Sequence, residues 1–371
     1  MQKGDKYKGR VLLFSTGWHE YMISIANAMS RYVEVILVLP ENHKLTPIHT
    51  ALIDSKVRFE PFHVVFHKSI RDNFRMLLGI YRIFKKYKPG IIHIQANGHN
   101  NFHYLVPFLV FRPKIINTIH DPEYHLGDKV SLAQRRRFTK VWSRLYTHHY
   151  IVHGDFLVSE LSKSYKVSVE KISPVPHGHL GIYKHFQIEG EVSENPKMVL
   201  FFGRIWKYKG LEYFIKAANL VIDEIPDALF CIAGHGDDLS IYDKFFAKGK
   251  KHFIIKNYRI PMEEAGAIYQ SSAIVVLPYL EATQSGVIPV AFAYGKPVIA
   301  SRTGAIPEVV EDGVTGFLTE PANEIQIAEK IITLLKDKDL RIHMGKAAEE
   351  KTRNDLSWDS ITLKTLEVYK K

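Results

Sequence analysis

Short apolar runs rich in β-branched residues recur along the whole chain, and each is followed by a segment with helical periodicity. In the first half the runs begin at Val11, Val33, Ile91, Lys114 and Tyr150. In the second half we predict strands at 198–202, 229–233, 252–256, 273–277 and 297–300. Strands of this kind, separated by helices, are typical of parallel sheets. The sequence therefore predicts an α/β fold built from doubly wound layers.

The length of the chain favours two domains. A chain of 371 residues can bury a large core, and the segment from Gly178 to Lys197 is polar and weakly patterned. We predict a Rossmann-like domain at 1–183, a linker at 184–197 and a second Rossmann-like domain at 198–352. A terminal helix within 353–371 is expected to cross back to the first domain, and the two doubly wound domains are expected to face each other.

The composition is that of a soluble protein, with 46% hydrophobic and 24% charged residues. The single cysteine, Cys231, lies in an apolar run, so we expect a buried hydrophobic residue and no disulfide framework. The N-terminal residues are polar and basic, and no apolar run approaches the ~20 residues that span a bilayer. We therefore expect a cytoplasmic protein, either free or peripheral on the inner membrane face.

The positive charge is concentrated in the first half. Residues 1–190 carry 27 Lys and Arg against 14 Asp and Glu, whereas the remainder carries 23 against 25. Such asymmetry indicates an anionic partner for the first half, namely a membrane surface, nucleic acid or a phosphorylated substrate. Nucleic acid is disfavoured because the sequence shows no aromatic-interleaved platform or recognition motif.

Two helical segments carry much of this charge. Across 68–88 the basic stripe is Arg71, Arg75, Arg82 and Lys86, opposite Phe74, Leu77, Tyr81 and Phe84. Across 131–146 it is Arg136, Arg137, Lys140 and Arg144, opposite Phe138, Val141, Trp142 and Leu145. We expect the apolar sides to be core. The basic faces either lie on an anionic bilayer or are simply solvated.

A first phosphate-binding signal follows the predicted strand 198–202. Gly203 lets a backbone approach a ligand without an intervening Cβ atom. Arg204 offers a planar fork of donors and Lys209 a mobile point charge, and both suit a diphosphate. A solvated lysine in the first turn of a helix is the structural alternative for Lys209.

A second signal follows the predicted strand 273–277. The loop holds Thr283, Gln284, Ser285, Gly286 and Val287 ahead of helix-like residues 288–294. It would present backbone N–H groups to an anion at a helix N-terminus. Glu281, at the strand end, is expected to bind sugar hydroxyls because its charge repels phosphate; helix capping is its alternative role.

These motifs resemble those of the retaining GT-B glycosyltransferases of family 4, also called group 1. The resemblance covers almost the whole chain and is strongest from Val199 to Leu318. It implies a donor domain at 198–352 and an acceptor-side domain at 1–183. It also implies an enzyme that transfers a hexose from a nucleotide sugar to a saccharide or lipid-linked acceptor, in polysaccharide or glycolipid biosynthesis.

The resemblance also implies roles for individual residues. Arg204 and Lys209 would hold the donor diphosphate, with backbone contacts from the Gly286 loop. The turn of Tyr258, Arg259 and Ile260 would lie beside the nucleoside base. In the first domain His120 would lie near the donor sugar, and Gly17 would belong to a loop that faces the cleft.

The chain departs from the family pattern at one position. The family pairs two glutamates separated by seven residues, and the second contacts the ribose. Here that place is taken by Pro289 or Val290, depending on the direction of counting. Two interpretations remain: a subgroup that holds ribose differently, or a nucleotide-sugar-binding subunit without catalysis. A nucleotide-sugar epimerase of the same fold is a further alternative, although no paired acid and base are identified.

No metal or other cofactor is expected. The histidines at 148, 149, 153, 177 and 179 lack a shared face with carboxylates or cysteines, and the resembled family is generally metal-independent. Gly234-His235-Gly236 is a lone glycine pair and therefore weak evidence for a dinucleotide site. His120, at a strand end, has a structural hydrogen-bonding role as its alternative.

Overall fold

A computed structural model describes residues 9–41, 45–62, 70–95, 110–123, 140–141, 143–186 and 192–371. These residues form two units. The first comprises the described residues up to Pro176 together with Trp358–Lys371, and the second comprises His177–Ser357. The division at Pro176 precedes the domain end that the sequence analysis placed at 183.

The first unit is built on a seven-stranded parallel sheet. Its strands are β1 (Arg10–Ser15), β2 (Glu34–Pro40), β3 (Arg58–Phe62), β4 (Ile91–Gln95), β5 (Lys114–Thr118), β6 (His149–Val152) and β7 (Ile172–Pro174). They lie in the order β3-β2-β1-β4-β5-β6-β7. The order reverses direction at β1, which is the switch point of a Rossmann-like sheet.

Five of the described helices belong to this unit. They are α1 (His19–Met29), α2 (Pro47–Ala51), α3 (Ile70–Tyr87), α4 (Phe156–Tyr165) and the terminal helix, which we number α11 (Trp358–Lys370). The predicted return of the terminal helix to the first unit is confirmed. Tyr369 on α11 lies with its Oη 2.7 Å from Nδ1 of His93 in β4, and Arg31 pairs with Asp359 at 2.6 Å.

The second unit is built on a six-stranded parallel sheet. Its strands are β8 (Met198–Phe202), β9 (Leu229–Gly234), β10 (Phe253–Asn257), β11 (Ile274–Leu277), β12 (Val298–Ser301) and β13 (Gly316–Thr319). They lie in the order β10-β9-β8-β11-β12-β13. Val199 and Phe201 enter one apolar cluster while Met198 and Leu200 enter another, so β8 is buried on both faces.

Six described helices flank this second sheet. They are α5 (Leu211–Glu224), α6 (Met262–Ser271), α7 (Val287–Ala293), α8 (Ile306–Val309), α9 (Glu324–Lys336) and α10 (Lys338–Arg353). The fold is thus two doubly wound α/β units, as the sequence predicts. Cys231 in β9 is buried, and burial raises the pKa of its thiol to about 11.

The family resemblance places a strand within Lys171–Gly178, where β7 lies. Two other strands, β3 and β13, were not predicted, and both lie at a sheet edge. β3 reads Arg-Phe-Glu-Pro-Phe and is only partly buried. An edge strand tolerates proline and charge because one side of its backbone has no strand to pair with. β13 has four residues and begins with Gly316. Neither strand carries the apolar run that marks the central strands.

The predicted burial of two apolar helix faces is wrong at three positions. On α3, Phe84 is buried but Phe74 is 60% exposed. In the second basic segment, residues 131–139 and 142 lie outside the described residues, and Val141 and Leu145 are 46% and 62% exposed. Helical periodicity identifies an apolar face but not what covers it. Within the described ranges, no helix combines the length and the apolarity needed to span a bilayer.

Candidate functional site

The chain changes direction at Gly203, directly after β8. Gly203 has a φ of +128°, and a Cβ atom there would have Val287 Cγ2, at 3.8 Å, as its nearest neighbour. Its N–H donates to Ala233 O at 2.9 Å, which ties the turn to the end of β9. Glycine is required because this φ is rarely adopted by other residues. The backbone is therefore open on the side where the sequence predicts a ligand.

Arg204 follows this turn and is exposed. Its guanidinium carbon lies 4.1 Å from the ring centroid of Trp206, and Nη2 donates to Tyr208 Oη at 3.4 Å. An aromatic face attracts a guanidinium and restricts its rotamers. No sequence pattern singles out Trp206. Its spacing of two residues from Arg204 is the only signal that could have indicated it.

Lys209 ends a short 3₁₀ turn, Lys207–Lys209, that precedes α5. Its Nζ lies 3.6 Å from the ring centroid of Tyr279 and 4.9 Å from that of Tyr208. The side chain is half-buried. Lys209 is therefore held against aromatic rings and is not the freely solvated lysine of the structural alternative.

The second predicted signal lies beside the first, because β11 is the neighbour of β8 in the sheet. The N–H of Leu280 donates to Tyr208 O at 2.8 Å, which joins the loop after β11 to the turn after β8. Parallel strands bring their carboxyl ends to one edge, where ligands of α/β sheets bind. The structure thus brings Arg204, Lys209 and the loop of Gly286 to one edge of the second unit.

The loop 281–286 leads into α7. Ser285 is buried, its Oγ accepts from Val287 N at 3.2 Å, and it lies 3.3 Å from Tyr279 Oη. Gln284 has a buried Oε1 with no hydrogen-bond partner among the described residues. A Cβ atom at Gly286 would meet nothing within 4 Å. An unsatisfied buried oxygen beside open space is a feature that a bound ligand would resolve.

Glu281 is half-buried at the start of this loop. The segment that follows β12 holds this loop in place, since Ala305 N donates to Thr283 O at 3.0 Å. Pro289 and Val290, which stand where the family has a ribose-binding glutamate, are buried in α7. The sequence of α7 contains no acidic residue. That helix therefore offers no carboxylate to a ribose.

The predicted base-binding turn follows β10, the strand at the sheet edge. Tyr258 is 46% exposed and donates to Glu264 Oε1 at 2.6 Å. Lys256 donates to the same oxygen at 2.8 Å, and these bonds from Lys256 and Tyr258 lower the pKa of Glu264. Arg259 is exposed and Ile260 is half-buried. The turn shares the carboxyl edge but is separated from Arg204 by β9.

The two predicted residues of the first unit lie at the carboxyl edge of its own sheet. His120, after β5, is buried and stacks on Trp18 with ring centroids 4.5 Å apart. Trp18 has φ 58° and ψ 42°, a left-handed conformation that is costly for a bulky residue. A Cβ atom at the adjacent Gly17 would meet nothing within 4 Å. The sequence did not single out Trp18.

Two other histidines of the first unit are buried, one in β6 and one directly after it. His149 Nε2 lies 2.9 Å from Ser173 Oγ, and His153 Nδ1 lies 3.0 Å from Val175 O. Burial lowers the pKa of His149 to about 4 and that of His153 to about 3. These contacts fit structural roles. The absence of a metal or other cofactor stays a prediction.

The glycine pair after β9 has a packing role. A Cβ atom at Gly234 would lie 1.6 Å from Gly203 O, and one at Gly236 would lie 2.1 Å from Ile205 O. The two glycines let the end of β9 lie against the turn after β8. The pair therefore supports the cation-bearing turn directly, and a dinucleotide is not needed to explain it.

Two doubly wound units, one presenting two cations and a glycine-bearing loop at its carboxyl edge, place this chain in the class of α/β proteins that bind phosphorylated ligands. The model of the glycosyl transferases group 1 matches residues 196–337, and that of glycosyltransferase family 4 matches residues 16–179. The chain belongs to this glycosyltransferase family.

Curated relatives share about a third of their aligned residues with this chain. D-inositol 3-phosphate glycosyltransferase of Corynebacterium glutamicum is 30% identical over 230 residues, which cover 60% of this chain and 53% of that protein. Sulfoquinovosyl transferase SQD2 of Arabidopsis thaliana is 31% identical over 170 residues, which cover 45% and 32%. The matched segments span about half the length of these relatives, or less.

Solved structures show the same fold over nearly the whole chain. A glycosyltransferase from Rickettsia africae has a TM-score of 0.67 at 19% identity and covers 98% of both chains. HepE of Anabaena, solved with UDP-glucose, has a TM-score of 0.70 at 16% identity and covers 98% of this chain and 99% of its own. At these identities the likeness establishes the GT-B fold alone.

Proposed function

We propose that this protein is a retaining glycosyltransferase. It would move a hexose from a nucleoside-diphosphate sugar to a saccharide or lipid-linked acceptor in polysaccharide or glycolipid biosynthesis. The observation that carries the proposal is the meeting of Arg204, Lys209 and the loop before α7 at one sheet edge. HepE, solved with UDP-glucose, makes UDP-sugars the first donors to test.

The chemistry follows from the charge on the leaving group. The acceptor hydroxyl oxygen bonds to the anomeric carbon on the face from which the diphosphate departs, and the carbon–oxygen bond to the diphosphate breaks. The acceptor proton passes to the departing diphosphate. Arg204 and Lys209 stabilise the negative charge that develops there. Gln284, Ser285, Gly286 and Val287 would contact the phosphates.

Contacts to the rest of the donor follow from the positions of the other residues. Glu281 binds sugar hydroxyls, since a carboxylate accepts hydrogen bonds from them and repels phosphate. The turn of Tyr258, Arg259 and Ile260 lies beside the base. His120 and Gly17 act near the donor sugar from the first unit. Alignment of donor and acceptor supplies part of the rate enhancement.

The test is turnover by the full chain with UDP-, GDP- and ADP-sugars, with saccharides or extracted membrane lipids as acceptors. Diphosphate release and the anomeric configuration of the product are measured. We expect one donor class to react and Lys209→Met to lower kcat on the order of 100- to 1,000-fold. No release from any donor, or an inverted product, contradicts the proposal.

Lys216 supplies the matched control for that variant. It lies on α5, pairs with Glu212 at 2.6 Å and has its Nζ 5.0 Å from the ring centroid of Phe245. Lys216→Met therefore removes a lysine that, like Lys209, contacts an aromatic ring. Lys216 is paired with a carboxylate in addition. The substitution should leave kcat unchanged.

The missing second glutamate favours one alternative, a nucleotide-sugar-binding subunit without catalysis. That alternative predicts donor binding in calorimetry with neither transfer nor hydrolysis. An epimerase of the same fold would convert the donor sugar in the absence of any acceptor. Analysis of the sugar product without acceptor separates the epimerase from the transferase.

Surface features of the first unit favour an anionic acceptor. The four basic residues of the α3 stripe are all exposed, namely Arg71, Arg75, Arg82 and Lys86. Phe74, on the same helix, is exposed as well. Basic residues interspersed with exposed apolar side chains suit an anionic lipid surface. We therefore propose a lipid-linked acceptor at a membrane face.

A further inference from the structure

Tyr279 physically connects the two halves of the candidate donor site. Its side chain is 1% exposed, directly after Pro278 at the end of β11. The ring lies 3.6 Å from Lys209 Nζ, and Oη lies 3.3 Å from Ser285 Oγ. One side chain thus contacts both the cation after β8 and the loop that leads into α7. Neither of the two phosphate-binding signals in the sequence indicated Tyr279.

The backbone around Tyr279 fixes the distance to Lys209. Leu280 N donates to Tyr208 O at 2.8 Å, so the residues that follow Tyr279 and precede Lys209 are joined directly. Gly210, with a φ of +68°, lies so close to Pro278 that an added Cβ atom would be 1.8 Å from its carbonyl oxygen. The turn that carries Lys209 is therefore seated against the strand end that carries Tyr279.

An aromatic ring is suited to hold a lysine without neutralising it. The ring face attracts an ammonium through its quadrupole, yet the ring carries no net charge. A lysine side chain has a flexible four-carbon stem and loses rotamer freedom when it binds a ligand. A ring that already restricts the stem reduces that loss and leaves the positive charge for an anion.

We propose that Tyr279 is a positioning residue for the donor site. Its ring holds the Lys209 ammonium where a nucleoside diphosphate binds. This inference rests on the proposed function and adds to it a residue that acts through Lys209 without touching the donor. The consequence is that replacing Tyr279 should weaken diphosphate binding only when Lys209 is present.

The test measures binding of UDP, GDP and ADP to the full chain by titration calorimetry, and follows the nucleotide that the unaltered protein binds. We expect Tyr279→Leu to weaken binding about tenfold, the range of a desolvated cation–π contact. Tyr279→Phe keeps the ring and should remain within about twofold. In a Lys209→Met background, Tyr279→Leu should have no further effect on binding.

Two further variants keep the test decisive. Tyr269→Leu removes another fully buried tyrosine of the same apolar cluster, whose ring packs against Phe202 and Tyr294, and should leave binding unchanged. If Tyr279→Leu does not fold, a fluorinated phenylalanine at 279 keeps the ring volume and weakens its attraction for a cation. Its binding should fall between those of Tyr279→Phe and Lys209→Met.

The outcomes separate this inference from the function on which it rests. If the unaltered protein binds none of the three nucleotides, the proposed function fails and the inference fails with it. If the protein binds one and Tyr279→Leu binds equally well, the inference alone is overturned. An equal loss from Tyr279→Leu with and without Lys209 also overturns it, because Tyr279 would then not act through Lys209.

Discussion

Aromatic rings determine how the two cations of the candidate site are presented. Arg204 lies over Trp206, and Lys209 lies over Tyr279. The cations follow from the sequence because they stand at fixed distances from a strand end. The rings do not, since Tyr279 is 70 residues away from Lys209 along the chain and meets it only through the pairing order of the strands.

A second residue-scale feature is the buried His93 in β4. Its Nε2 lies 2.6 Å from Thr118 Oγ1 and its Nδ1 lies 2.7 Å from Tyr369 Oη. Burial lowers the pKa of His93 to about 3. The imidazole is therefore neutral in the folded protein at any pH above that value. It links the central sheet of the first unit to the terminal helix.

Protonation of His93 in the unfolded chain gives stability a pH dependence. The unfolded histidine gains a proton near its ordinary pKa of 6.5, whereas the folded one gains it only near 3. Between these values the unfolded state binds more protons, so stability falls as pH falls, by ~1.4 kcal/mol per pH unit from this group. As the pH is lowered, we expect the thermal midpoint of His93→Asn to fall less steeply than that of the unaltered protein.

The control for this prediction is His343, an exposed histidine on α10. His343→Asn should have the same pH dependence as the unaltered protein. Parallel curves for His93→Asn and the unaltered protein between pH 6.5 and 4 would show that His93 is not the group responsible.

At the scale of elements, the candidate donor site depends on how the turn after β8 seats against the end of β11. Gly210 ends the 3₁₀ turn of Lys209 and begins α5 with a φ of +68°. The closeness of its backbone to Pro278 O leaves no room for a side chain. The sequence shows the glycine after a lysine but not the strand end that it contacts.

Gly210→Ala should therefore destabilise the second unit and displace Lys209. An alanine in the left-handed region costs roughly 1–2 kcal/mol, and the contact with Pro278 adds to that cost. We expect a lower midpoint in urea together with weaker binding of nucleoside diphosphate. The glycine at 295 is the matched control, since it follows α7 in the left-handed conformation with a φ of +64°. An added Cβ atom there would lie 3.6 Å from Gly345 O, an ordinary contact distance.

Gly295→Ala should show only the cost of the left-handed backbone and should bind nucleotide as the unaltered protein does. The difference between the two variants then measures the close packing at Gly210. An equal loss of stability in both variants would mean that the close contact between this turn and Pro278 contributes nothing to stability.

At the scale of the whole molecule, the net positive charge comes from the first half of the sequence, where exposed apolar side chains also occur. Phe74 is 60% exposed and Leu145 is 62% exposed. Both had been expected in the core. Their exposure beside Arg75 and Arg144 makes binding to an anionic bilayer a better prediction than the basic stripes alone.

We expect the full chain to sediment with vesicles of phosphatidylserine and phosphatidylcholine, and to release them as salt is raised. The double variant Arg71→Glu with Arg75→Glu should bind more than about tenfold more weakly, because each cation near the surface contributes ~1 kcal/mol. The charge-matched control is Lys338→Glu with Lys346→Glu, two exposed lysines on α10. Equal binding by the two double variants would count against a membrane surface on the first unit.

The sequence alone determined the class of fold and the central strands. An apolar run buried on both faces needs no tertiary information to be recognised, so the strands β1, β2, β4, β5, β6, β8, β9, β11 and β12 were predicted within a few residues. The edge strand β10 was predicted as well, because it also carries a short apolar run. The edge strands β3 and β13 were missed because an edge needs no such run. Helical periodicity likewise predicted the basic and apolar faces of α3, but it did not predict that Phe74 is exposed.

The residues of the candidate site divide in the same way, into those that the sequence predicts and those that only the tertiary structure reveals. Arg204, Lys209 and Glu281 followed from the sequence because each stands next to a strand end, where local pattern is sufficient. Tyr279, Trp206 and Trp18 were decided only by the tertiary structure, since a ring acquires its role from the side chain that it meets. Strand order brings β8 beside β11, and that placement turns two separate sequence signals into one site.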